Sequence, residues 1–125
     1  MHPGRLVWVL AILNIAPGFT AADGNLSPGW PDVSSVFKNR CVMCHSSVIG
    51  ASKGLRLDDY TAALRGGETG PVMIPGDSDG SELMRRIRGE RLPRMPFLSR
   101  PLPDEQIRMI QTWIDSGMPE ASEAR

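Results

Sequence analysis

The chain has 125 residues and balances 14 Lys and Arg against 14 Asp and Glu, a formal net charge of zero. That length predicts one domain, and the charge balance argues against nucleic acid as a partner and gives no general reason to expect membrane binding. Thirteen Gly and eleven Pro, against three Trp, three Phe and one Tyr, describe a loop-rich chain short of large side chains. A domain this small buries a modest core, which leaves room for a non-protein group to supply apolar volume.

Along the chain, Met1 to Arg5 carry one positive charge. Leu6 to Ala16 are apolar apart from Asn14, and Thr20-Ala21-Ala22 are small. This order predicts a secretory signal peptide over residues 1–22. The apolar run is too short for a spanning helix, which needs ~20 residues. Loss of the leader removes Arg5 and leaves a net charge of about −1. Residues 23–31 read as a flexible lead-in, 32–118 as the folded domain and 119–125 as a C-terminal tail.

Within the domain, Asp32 can cap a first helix running to about Arg40, with Val33, Val36, Phe37 and Cys41 on one side. Ser46 to Lys53 reads as a loop. Asp58 or Asp59 starts a short helix through Leu64, stopped by Gly66-Gly67. Asp77 can cap a third helix with Leu83, Met84 and Ile87 inward. Arg91 to Pro103 holds four prolines and cannot be helical. A last helix runs from about Asp104 to Ser116. Ile107, Ile110 and Ile114 form its buried stripe, flanked by Met109 and Trp113, and Gly117 ends it. No segment alternates strictly enough to predict a strand. The expected fold class is all-α, with four short helices and long loops. Such loops are unusual in a small domain unless they serve function.

The chemistry concentrates in Cys41-Val42-Met43-Cys44-His45, the C-x-x-C-H arrangement of covalent haem attachment. Two cysteines three apart on a helical turn project the same way, so both thiols can reach the vinyl groups at one edge of a haem. His45 follows directly and is carried to the iron. A structural zinc site needs four ligands, but the chain has no other cysteine, and its other histidine, His2, lies in the leader. A thioredoxin-like pair would require a βαβ setting. A Cys41–Cys44 disulfide would close a very short loop and stabilise little.

A second axial ligand must come from elsewhere, and a thioether opposite His raises the reduction potential. Met43 sits inside the attachment turn. Met84 and Met109 lie on apolar helix faces, where core filling is the default. Met118 is close to the end of the domain. Met95 stands between Arg94 and Pro96, with Pro93 just before, and proline restraint lowers the entropy lost on ligation. Met95 is the expected distal ligand. Met73 and an open or exchangeable sixth position stay open as alternatives.

In their order along the chain, the attachment motif, Arg94-Met95-Pro96 and the C-terminal helix resemble class I cytochromes c. More narrowly, the chain is similar to the planctomycete-type cytochrome c domain. The matching residues are Cys41 to His45, Leu55-Arg56-Leu57-Asp58, Gly66-Gly67, Pro75-Gly76-Asp77 with Ser81 and Leu83, Arg94-Met95-Pro96, Leu102 with Ile107, and Trp113-Ile114-Asp115 with Gly117. They cover nearly all of residues 32–118. The resemblance implies an all-α fold around haem c, His45 and Met95 as iron ligands, and electron transfer. Two positions depart from the pattern: Phe97 replaces a usual second proline, and Pro103 stands where a capping side chain is common.

Arg85, Arg86, Arg88, Arg91, Arg94 and Arg100 form a basic stretch around Met95. It reads as a docking surface for an acidic redox partner, as partners for haem propionates, or as a solvated face. Trp113 is expected in the core against Phe37, and Tyr60 against the haem or a helix. The expected protein is thus a monohaem c-type cytochrome, an electron carrier and not an enzyme, exported to a bacterial periplasm. No small-molecule substrate is expected. Contact with a membrane is expected only through a partner or an uncleaved leader. A redox or gas sensor with a labile sixth ligand, and an electron-delivering subunit of a dehydrogenase complex, are the alternatives.

Overall fold

The structure is a computed structural model that describes residues 26–124, so the predicted signal peptide and residues 23–25 lie outside it. The elements in order are β1 (Leu26–Ser27), α1 (Trp30–Arg40), β2 (His45–Ser46), β3 (Gly50–Ala51), a 3-10 turn (Ser52–Gly54), α2 (Tyr60–Arg65), α3 (Glu82–Arg88), α4 (Asp104–Asp115) and β4 (Glu123–Ala124). Four helices stand where the sequence predicts them, but the all-α class is overturned. Strand β1 pairs antiparallel with β4, Leu26 opposite Ala124, and β2 pairs antiparallel with β3, His45 opposite Ala51. The protein is a small mixed α/β fold. Strands of two residues are too short to carry a period-two pattern; tertiary packing brings their backbones together.

Local chemistry explains the helix ends and corrects two of them. Helix α1 starts at Trp30, with Gly29 as its N-cap and Pro31 in the first turn, where proline costs nothing. Asp32 is therefore not the cap. It sits one turn in and reaches back to accept the Gly29 N–H at 2.8 Å. Asp59 caps α2 by accepting the Ala62 N–H at 2.8 Å, and Gly66, at φ 84°, ends it. Helix α3 starts after Ser81, not at Asp77. Asp77 instead closes the preceding turn by accepting the Gly80 N–H at 2.8 Å. Gly89, left-handed at φ 76°, stops α3. Helix α4 follows Pro103 without a side-chain cap, and Asp104 and Glu105 face the positive end of its dipole.

Helices α1 and α3 both pack on α4. The buried stripe of α4 is Ile110, Trp113 and Ile114, each 0% exposed, while Ile107 is only half-buried. The stripe is thus rotated toward Trp113, whose ring meets Phe37 edge-on at 6.5 Å and Trp30 at 5.9 Å. Its indole N–H donates to the Pro119 carbonyl at 2.9 Å, so burial leaves no orphaned donor. Tyr60 packs on Trp30 and donates its hydroxyl to the Met118 carbonyl at 2.9 Å. Among the described residues no helix is long and apolar enough to cross a membrane. The packed helices form one body from which two loops, 41–55 and 90–101, carry the residues of interest.

Candidate haem site

The attachment turn grows directly from the C-terminus of α1. Phe37, fixed in the core, accepts the N–H groups of Cys41 and Val42 at 2.8 and 3.1 Å. The Cys41 carbonyl then accepts from both Cys44 and His45, at 3.2 and 3.0 Å. Cys41, Cys44 and His45 are thereby wound into one turn. Both thiols are free, Cys44 exposed and Cys41 half-buried. Burial pushes the Cys41 thiol up to about 11, with Arg40 pulling in the opposite direction.

His45 is held through its backbone. Besides the turn, it pairs with Ala51 across the β2–β3 ladder, and its carbonyl accepts the Leu57 N–H at 2.8 Å. Its Nδ1 is buried with no hydrogen-bond partner among the described residues. The loop beyond it is pinned by Asp58, which accepts the Ser47 N–H at 3.2 Å, the Ser47 hydroxyl at 2.9 Å and Arg56 Nε at 3.3 Å. The Ser47 N–H foremost, with the Ser47 hydroxyl and Arg56, holds the Asp58 carboxyl down at about 2 against the opposing pull of desolvation. Gly67 completes the seat. A Cβ there would lie 2.6 Å from the Lys53 carbonyl oxygen, so only glycine lets the segment after α2 approach the 41–55 loop.

Met95 lies on the second loop, half-buried against the core. The peptide bonds Leu92–Pro93 and Met95–Pro96 are cis. The Met95 N–H donates to the Arg86 carbonyl at 3.1 Å, and Arg40, adjacent to Cys41, donates to the Arg100 carbonyl. The rival methionines are placed differently. Met73, Met84 and Met118 are at most 2% exposed within the helical core, Met109 is half-buried against it, and Met43 is 74% exposed.

The basic stretch is largely engaged by the chain itself. Arg86 and Arg91 pair with Glu82, Arg88 pairs with Asp79 and Glu90, and Arg85 donates to the Asp79 carbonyl. Arg94 and Arg100 have no carboxylate partner among the described residues.

The two loops also hold most of the exposed large apolar side chains: Met43, Val48 and Ile49 on the first, and Leu92, Phe97 and Leu98 on the second. An open depression of about 440 Å³ lies beside the first, lined by Met43, Cys44, Ile49, Gly50, Ala51 and Ser52. Among the described residues no three His, Cys, Asp or Glu side chains gather into a metal cage. The donor set instead fits a haem: two free thiols on one turn, an adjacent imidazole, a thioether on a tethered loop, and uncovered apolar side chains on both loops.

Comparison with known families bears on the same residues. The family model described as Planctomycete cytochrome C matches residues 41–96, which run from Cys41 of the attachment turn to the proline after Met95. Over this stretch the chain is similar to planctomycete-type cytochrome c. That similarity supports a cytochrome-type electron carrier. No curated protein and no solved structure matches the chain.

Several residues that hold these loops are not legible as contacts in the sequence. In the sequence Asp58 reads as a possible helix cap and Gly67 as part of a helix stop, and both stand among the residues that carry the family resemblance, but none of this gives their contacts. The Glu82 to Arg86 spacing of four on α3 was the available signal for their ion pair. The reach of Arg86 to the Met95 loop depends on tertiary placement.

Proposed function

We propose that the protein is an exported monohaem c-type cytochrome that passes single electrons between redox proteins outside the cytoplasm. The observation that carries this reading is the attachment turn, in which one carbonyl, that of Cys41, gathers Cys44 and His45 beside two unbonded thiols. Cys41 and Cys44 would hold the haem by thioether bonds. His45 would be the proximal ligand through Nε2, and Met95 the distal one. The haem supplies reversible ferric–ferrous chemistry when bound.

The chain's own residues do the rest. The β2–β3 ladder and the Leu57 N–H orient His45, and Asp58 keeps the loop after it in place. The burial of Met73, Met84 and Met118 in the helical core supports Met95, whose loop lies outside that core. The apolar side chains of the two loops would exclude water from the group, and a low local dielectric disfavours extra charge there. Arg94 and Arg100, without carboxylate partners, suit an acidic redox partner. Export is supported by the leader pattern of residues 1–22.

The test is the absorption spectrum of the protein expressed with a haem-attachment system, with the ferric form scanned for the weak near-infrared sulfur-to-iron band. The band is expected in wild type and absent in Met95→Ala. A band that survives the substitution would move the ligand to another methionine. A high-spin wild type that binds carbon monoxide readily would overturn the carrier reading, and a protein with no covalent haem would overturn the whole proposal.

A further inference from the structure

We propose that Arg86 is the positioning residue of the distal loop, the group that holds Met95 in place for ligation; this rests on the reading of Met95 as distal ligand. Arg86 meets the loop twice. Its carbonyl accepts the Met95 N–H at 3.1 Å. Its Nη1 donates to the carbonyls of Leu92 at 2.8 Å and Pro93 at 3.4 Å. A third bond orients the guanidinium, since Nε donates to Glu82 Oε1 at 2.8 Å. The other oxygen of Glu82 takes Arg91 Nη1 at 3.1 Å, which fastens the start of the same loop.

This arrangement links the loop to the core. Leu83, Met84 and Ile87, on the same helix as Arg86, are buried, so the helix cannot shift without disturbing the interior. Of the loop's own side chains, Leu92, Phe97 and Leu98 are 79%, 59% and 91% exposed, while Met95 is half-buried and Arg94 donates to the Arg88 carbonyl at 3.2 Å. Between Leu92 and Met95, three of the hydrogen bonds to α3 end on Arg86. A planar guanidinium can serve a carboxylate and a carbonyl at once in fixed geometry, whereas a lysine ammonium is a single point charge. The Arg86 side chain is 26% exposed, which shields its bonds in part from water.

The freedom of the loop to lift away can be read as the apparent affinity of an entering ligand. Such a ligand binds only the fraction of molecules in which Met95 has left the sixth position. Losing charge-assisted hydrogen bonds that favour the closed loop should raise that fraction, and so the apparent affinity, by about tenfold to a hundredfold.

The experiment titrates imidazole into the ferric haem-loaded protein, following the near-infrared band, for wild type, R86Q, R86K and R85Q. Arg85 is the matched control. It carries the same charge one position earlier and bonds to the Asp79 carbonyl at 3.1 Å, with no side-chain bond to the loop. R86Q is expected to bind imidazole about tenfold or more tightly than wild type, with a weakened band, R86K to fall between the two, and R85Q to match wild type. Equal affinity in R86Q and wild type would overturn the proposal. Equal tightening in R86Q and R85Q would also overturn it, because the effect would then be one of charge alone. Should R86Q fail to load haem, E82Q carries the test with the same expected direction, and an E82Q protein indistinguishable from wild type would overturn the proposal. A wild type that lacks the band removes Met95 as ligand and this proposal with it, an outcome visible before any variant is compared.

Discussion

The Ser122 hydroxyl donates to Oδ2 of Asp32 at 2.8 Å, across 90 positions of sequence. The same carboxylate oxygen accepts the Gly29 N–H, and the Trp30 N–H points at the carbonyls of Pro119 and Glu120, both at 3.1 Å. Strand β4 then runs antiparallel to β1. Gly29 lies at the centre of this closure, where a Cβ would sit 2.4 Å from the Ser122 nitrogen and 2.5 Å from the Ala121 carbonyl carbon. Its φ of −109° suits any residue, so space alone demands glycine. Gly29→Ala is expected to lower stability by about 1–3 kcal/mol, as overpacking against backbone does. Urea unfolding checks this, and an unchanged midpoint would show that the closure yields freely.

The Asp58 contact predicts a specific acid response. Its carboxyl is held at about 2, below the ordinary 3.8, chiefly by the Ser47 N–H. A depressed folded value means that the contribution is complete above the unfolded value and is lost as the pH falls through about 2. The NMR shift of the Ser47 amide should therefore stay constant from neutral pH to about 4 and titrate near 2. Asp58→Asn should displace that resonance already at neutral pH. A midpoint near the ordinary carboxylate value would show that the Asp58–Ser47 contact does not persist in solution.

The two thiols should differ in haem-free protein. Cys44 is exposed, while burial raises the Cys41 thiol to about 11. Since the thiolate is the reactive form, maleimide or iodoacetamide at neutral pH should label Cys44 first. Labelling of Cys41 should accelerate about tenfold per pH unit on the way to that value. Peptide mass spectrometry after timed quenching reads both sites. Equal rates would contradict the half-buried position of Cys41.

Among the described residues Trp113 is the largest wholly buried side chain, and its N–H is satisfied by Pro119. Trp113→Ala should cost about 3–5 kcal/mol, the range for deleting a large aromatic group from a core. Thermal unfolding followed by circular dichroism would measure it. A loss under about 1 kcal/mol would mean that the site collapses around the gap.

Much of this was readable from local chemistry. Asp59 before an apolar pair and Gly66 after it bounded α2, and Leu83, Met84 and Ile87 marked the inner face of α3. Asp32 and Asp77 misled, because a short carboxylate can bond to a backbone N–H in a turn or one turn inside a helix as well as at a cap. Pro31 was the better signal for the start of α1. The strands were invisible, because pairing of Leu26 with Ala124 depends on how α1 and α4 dock and not on either dipeptide. At the site, the attachment motif and Met95 stand out by residue type, while Asp58, Gly67 and Arg86 act through distance, which a charge run or a glycine pair does not encode.

Trp30 and Trp113, with ring centroids 5.9 Å apart, are the tryptophans of the described residues, and both sit where α1 meets α4. In the haem-free protein their emission therefore gauges separation of the first and last helices. Ligation would be followed by its own absorption band. A variant that alters this band in the loaded protein while its haem-free form keeps the wild-type emission has moved a loop without loosening the body.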